Sequence, residues 1–126
     1  MAADDTCCTI QPYFKVHQGK MAEFKAVAER MVAETATEPK CLYYGFSYDG
    51  DEAYCREGYA DADGLLHHAG HLGPLLGELT ELCDIARFEV CGPEAELAKL
   101  KEPMAGLSPR YYVLENGFRR QQAAEK

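Results

Sequence analysis

The residue pattern predicts an α+β domain of order βαββαβ with a C-terminal extension, the split βαβ arrangement of ferredoxin-like folds. Three observations carry this. Residues 7–16 and 85–92 alternate in polarity with period two, as strands do. Residues 20–35 and a leucine stripe from Leu65 to Leu82 suit helices. An Asp49-Gly50 pair separates two aromatic stretches as a hairpin turn does.

In the first strand Cys8, Ile10, Pro12, Phe14 and Val16 fall on one face. Pro12 lacks an amide hydrogen, so this strand leaves a ladder bond unmade or lies near an edge. Residues 17–20 turn the chain. A helix from about Lys20 to Thr35 then puts Met21, Phe24, Ala28, Met31, Val32 and Thr35 inward, and Pro39 ends any continuation. Residues 41–48 and 52–60 form the hairpin, the first with apolar or aromatic side chains in both parities. Asp61 and Asp63 suit a helix start, where a carboxylate accepts free amide hydrogens. Gly70 and Gly73 weaken the helix that follows, and Pro74 suits a first helical position. The expectation is a short helix ending near residue 70 and a second starting at Pro74. Residues 85–92 are the fourth strand, 93–103 hold a short helix, Pro103 and Pro109 bracket a loop, 110–118 form a fifth strand, and 119–126 are a polar tail that frays.

The 126 residues suit one domain, with a core over about 7–92 and an extension over 93–126. A hydrophobic content of 47% is enough for one packed core. A net charge of −8 excludes nucleic acid and an anionic membrane surface as partners, since both repel an acidic protein. No apolar run is long enough for a membrane span, and MAADDTCC lacks the basic flank and apolar stretch of a secretion signal, so a cytoplasmic location is expected. The six cysteines contain no CxxC and mostly sit in apolar runs, where reduced, buried thiols are expected. The neighbours Cys7 and Cys8 project to opposite sides of a strand and are read as packing. A sheet with apolar residues on both faces meets another surface, and a homodimer through the open sheet face is the simplest solution.

Three stretches resemble a known family. VHQGKMAEF (16–24) is similar to the end of the first strand and start of the first helix in the dimeric α+β barrel superfamily, and more closely to its antibiotic-biosynthesis-monooxygenase-like domain. In EGYADADGLLHH (57–68), Glu57, Tyr59, Asp61, Leu65 and His68 match the family spacing. Residues 72–103 resemble a subgroup whose domain closes with a Gly-Pro and a Leu-rich helix. The resemblance implies a homodimer whose sheets close into a barrel, with a small pocket between helices and sheet in each subunit. It implies oxidation of electron-rich aromatics without an added cofactor, the substrate losing a proton and then giving electrons to oxygen. The chain has no tryptophan, although a pocket tryptophan recurs among the active relatives. Pro12 stands where haem-degrading relatives carry an asparagine, and no histidine follows His71, so the haem branch loses its expected groups.

Three of the four histidines, His67, His68 and His71, lie in LLHHAGHLGPLL (65–76). Their spacing could begin a metal site, but a third ligand has no sequence signal, and a solvated cluster at a helix end serves as well. No metal is expected. By the resemblance, His68 holds the family position facing the pocket and is the catalytic candidate, able to accept a phenol proton near neutral pH. Its plainer role is to close the pocket or bond to Glu57 or Tyr59. Tyr59, His71, Phe14, Leu72 and Arg87 are the substrate-binding candidates. Arg87, alone in an apolar strand, either holds an anionic group or pairs with Glu57 or Glu89. Two functions remain: a cofactor-independent monooxygenase acting on a small aromatic quinol-like substrate, or a non-catalytic ligand-binding or stress-associated dimer of the same fold. The preserved His68 favours the first and the missing tryptophan the second.

Overall fold

Period-two and helical stretches settle into one sheet with helices on one face. The computed structural model describes residues 5–120. The chain runs β1 (Cys8–Val16), α1 (Met21–Thr35), β2 (Cys41–Asp49), β3 (Glu52–Tyr59), α2 (Ala62–Thr80), β4 (Cys83–Gly92), α3 (Glu94–Ala98) and β5 (Arg110–Val113), with a 3-10 turn at Ala105–Leu107. The sheet order is β2-β3-β1-β4-β5. The first four strands are antiparallel neighbours in the ferredoxin-like order, and β5 adds parallel to β4. No helix among the described residues is long and apolar enough to cross a membrane.

β1 is central, not an edge. Its ladder with β3 runs from Cys8 to Ile10 and resumes at Tyr13, so Pro12 and its neighbour Gln11 leave the gap that a missing amide hydrogen requires. On the other side, Tyr13 opposes Arg87 but Phe14 opposes Ile85, which leaves Ala86 as a bulge. One extra residue flips the parity of β4. Ile85 therefore shares the helix-facing side with Phe88, while Arg87 turns to the open face, 4.9 Å above the Tyr13 ring.

In α1, Phe24, Val27, Ala28, Met31 and Thr35 are buried. Val32, expected inward, is exposed, and Val27 takes its place on the stripe. The Phe24 ring meets Phe46 and Tyr48 of β2 edge-on, both at 6.2 Å, so the even positions of β2 face the helices. On the open face the Tyr43 ring covers Gly58 so closely that an added Cβ would sit 2.5 Å from it. Gly50, at φ 62, makes the hairpin turn.

The expected break in α2 does not occur. The helix is continuous through Pro74, with Asp61 as its N-cap accepting from the Gly64 amide at 2.9 Å. Leu65, His68, Leu72 and Leu79 are buried along one unbroken stripe. Proline in a helix interior costs about 3 kcal/mol, and packing of this stripe on both sides of the proline outweighs it.

The extension completes the core. Leu97, Leu100 and Met104 are buried against Cys8, Ile10, Leu65 and Val90, and Glu96 accepts from the Ala62 amide at the start of α2 at 2.9 Å. β5 stops at Val113, short of the expected 118. Arg119 forks onto Asp5 at 2.8 and 3.0 Å, while the rest of the tail expected to fray, 121–126, lies outside the described residues. All six cysteines are free. Burial pushes Cys8 up to about 12 and Cys41 and Cys83 to about 11, so these thiols stay protonated near neutral pH.

Candidate functional site

The helix-facing side of β3 carries Cys55, Glu57 and Tyr59 at period two, and the stripe of α2 carries Leu65, His68 and Leu72 above them. Between these elements lies a cavity of about 110 Å³. Its wall is almost wholly apolar. Phe14, Leu72 and Phe88 form part of it, and His68 and Glu57 supply its charged or titratable side chains, with Tyr44 and Cys55 beside them. Met104 and Leu107 of the extension also line it. Ile85 and Leu107 are both nearly half exposed and so mark its mouth.

His68 is fixed from every side. Its Nδ1 lies 3.0 and 3.1 Å from the two carboxylate oxygens of Glu38, which follows α1. Its Nε2 lies 3.4 Å from Glu57 Oε1. The rings of Tyr44 and Tyr59 flank the imidazole at 5.2 and 5.0 Å. A carboxylate on Nδ1 fixes the tautomer and leaves the ring's lone pair on Nε2, beside Glu57. Burial holds the His68 pKa below its ordinary value, against the pull of Glu38. Imidazole is therefore the neutral, proton-accepting form near pH 7.

Glu57 is the opposite case. Burial pushes its carboxyl up to about 7, although Tyr59 donates a 2.7 Å hydrogen bond to Oε1 and favours the charged form. A carboxylic acid that stays protonated near neutrality is a proton donor. The site thus holds an acid and a base, 3.4 Å apart, at one wall of an apolar cavity.

The sequence-derived candidates separate here. His68, Phe14 and Leu72 line the cavity. Tyr59 is fully buried behind His68 and holds Glu57. His71 lies outside the wall, 2.7 Å from Glu38 Oε2. Arg87 stands on the open face, paired with Glu89, because the Ala86 bulge reverses its direction. Glu38 had no signal in the sequence, since an acid in a post-helix turn reads as solvated. Among the described residues no three His, Cys, Asp or Glu side chains are grouped to hold a metal ion.

No family model matches the chain, and no curated protein matches it. Solved structures do. Fold and sequence together place the chain in the antibiotic-biosynthesis-monooxygenase-like family. It is 41% identical to MupZ from Pseudomonas fluorescens, with a TM-score of 0.89 over 93% of this chain and 91% of that one. A presumed antibiotic biosynthesis monooxygenase from Caulobacter crescentus is 26% identical, with a TM-score of 0.63 over 68% of this chain and 88% of that one. SnoaB, a cofactor-independent oxygenase from Streptomyces nogalater, shares the fold at 21% identity, with a TM-score of 0.56 over 67% of this chain and 87% of that one. The last two cover roughly the share of the chain that runs from β1 to β4, whereas MupZ matches nearly all of it.

Proposed function

We propose that the protein is a cofactor-independent monooxygenase acting on a small, electron-rich aromatic substrate of quinol type. The observation that carries this reading is His68, locked by Glu38 and placed with Glu57 in the wall of an otherwise apolar cavity. His68 Nε2 takes a proton from the substrate hydroxyl, and Glu38 stabilises the imidazolium that forms. The substrate anion then reduces dioxygen. One oxygen atom is retained, and the other leaves as water with two hydrogens of the substrate. Glu57, protonated up to about pH 7, donates to the departing oxygen. The relation to SnoaB supports the reaction class by fold alone.

A cavity of 110 Å³ falls short of the roughly 150 Å³ that accepts a benzene ring. A substrate ring therefore enters with the mouth side chains, Leu107 foremost, displaced.

One feature favours a second reading. Simple deprotonation needs no acid beside the base, and an acid–base pair also suits a proton transfer without oxygen, such as an isomerisation. Oxygen uptake with a panel of quinols and anthrones, for wild type and His68→Ala, separates the possibilities. The expected result is uptake that falls by about 10²–10⁴-fold in the variant. Substrate turnover without oxygen uptake supports the second reading, and ligand binding without turnover supports a carrier.

We further propose that two copies pair through the open sheet face. That face carries Tyr13 stacked on Tyr54 at 4.8 Å and Arg56 over Tyr43 at 4.2 Å, aromatic and arginine surfaces of the kind enriched at interfaces. Light scattering at micromolar concentration should give the dimer mass; a monomer would oppose it.

A further inference from the structure

The buried acid–base pair does not stop at the cavity wall. Behind His68, Glu38 also receives His71, whose Nδ1 lies 2.7 Å from Oε2. His71 Nε2 in turn lies 3.2 Å from Glu34 Oε1. Side-chain exposure is 9% at His68 and 2% at Glu38, then rises to 29% at His71 and 58% at Glu34. The groups are contributed by two elements only, α1 with the turn after it and α2, at positions 34, 38, 68 and 71.

We infer that Glu38, His71 and Glu34 form a proton relay that connects His68 at the buried cavity to bulk water. The inference rests on His68 acting as a base, and adds the route by which its proton leaves. Apart from His68, the titratable groups of the cavity wall among the described residues are Glu57, Tyr44 and Cys55. A carboxyl between two imidazoles can take a proton on one oxygen while releasing one from the other.

A proton gained at His68 Nε2 makes an imidazolium, and its Nδ1 proton moves to Glu38 Oε1. The proton shared between Glu38 Oε2 and His71 Nδ1 passes fully to that imidazole. The Nε2 proton of His71 leaves to Glu34 or to water. No net charge stays inside, and the two histidines exchange tautomers. Reversal of the same steps returns a proton to the cavity.

His71 is faced by Glu34 and Glu38 from the α1 side and by His67 on its own helix, with ring centroids 5.9 Å apart. Glu38, ahead of Glu34 as a partner, holds the His71 pKa above its ordinary value, which favours keeping a proton at the Glu38–His71 contact near neutrality. His67 has no hydrogen-bond partner in this line and serves as the control position.

The test needs no substrate. It measures exchange of the His68 ring N–H with water in protein carrying ¹⁵N-labelled histidine, by saturation transfer at pH 7. The expected result is that His71→Ala slows this exchange on the order of 10²-fold, the lower end of what a positioned acid–base group contributes. Free imidazole should restore it in proportion to concentration, which a merely structural role would not allow. His67→Ala should leave it unchanged. If His71→Ala does not fold, His71→Gln, which can hold Glu38 but cannot relay, is read in its place. Exchange as fast in the His71 variant as in wild type, or slowed equally by His67→Ala, would overturn the relay. Because no turnover is measured, failure of the relay is distinct from failure of the oxygenase reading.

Discussion

The two ends of the space between helices and sheet are built differently. At one end Phe14, Phe24 and Phe46 meet edge-on or stacked at 5.6–6.5 Å, with Met31, Leu79 and Cys83 around them. Among the described residues no carboxyl or imidazole is part of this cluster. At the other end the walls come from β1, β3 and α2, but Leu97, Leu100 and Met104 of the extension close it. Between the two lie the cavity and the buried Glu38, Glu57 and His68. The first end is filled by the βαββαβ frame alone. The space between the ends keeps a hole with Glu38, Glu57 and His68 beside it, and the added chain helps to close that hole with Met104 and Leu107.

The contrast is broken most sharply by truncation at the filled end. Phe24→Ala should cost about 3–5 kcal/mol, because a fully buried ring leaves a cavity that the tight aromatic cluster cannot close. Urea unfolding checks this, and a loss below about 1 kcal/mol would show that this end is not the stable one. Met104→Ala at the other end should cost about 2 kcal/mol, the low end of the Met→Ala range, since a cavity already adjoins that side chain. The same substitution widens the cavity, so a hydrophobic dye or small aromatic should bind more tightly even as stability falls.

The titratable end should also respond to pH. Burial raises Glu57 in the folded state, from 4.5 to about 7. The protonated form is thus favoured by folding, and its contribution is complete below pH 4.5 and lost as pH rises toward about 7. His68 has the opposite sign, because its lowered pKa gives stability that is present above about pH 6.5 and lost on acidification. Comparing wild type with Glu57→Gln removes the histidine term. The wild-type advantage should shrink steadily between pH 4.5 and 7, and a constant difference would mean that Glu57 titrates normally.

The smallest effect is expected on the open face. Arg87→Ala removes an exposed pair with Glu89 and a contact over Tyr13, worth under about 1 kcal/mol. It should leave ligand binding in the cavity unchanged, since Arg87 stands on the other side of the sheet.

Most of the fold was legible because period and punctuation agreed. The Pro12 gap, the Asp49-Gly50 turn and the Asp61 cap all lie where the residue types place them. Gly70, Gly73 and Pro74 signal a break in α2 only when taken locally. The phase of Leu65, His68, Leu72 and Leu79 passes through the proline without a shift, and that was the stronger signal. Of the two readings of Arg87, the pair with Glu89 is the one that forms, because the Ala86 bulge, which alternation cannot reveal, turns it from the cavity. In the site, His68 and its Glu57–Tyr59 partners share one sequence motif. Glu38 and Met104 come from elsewhere in the chain, and only tertiary packing turns a turn glutamate and a loop methionine inward.

Burial favours a protonated Glu57 carboxyl facing a neutral His68 imidazole in the apolar cavity near neutral pH. Infrared difference spectra of Glu57 test it most directly, with Glu57→Gln assigning the band. The expected result is a protonated carboxyl stretch that persists at pH 6 and titrates away near pH 7. A carboxylate already ionised at pH 6, titrating close to 4.5, would contradict it.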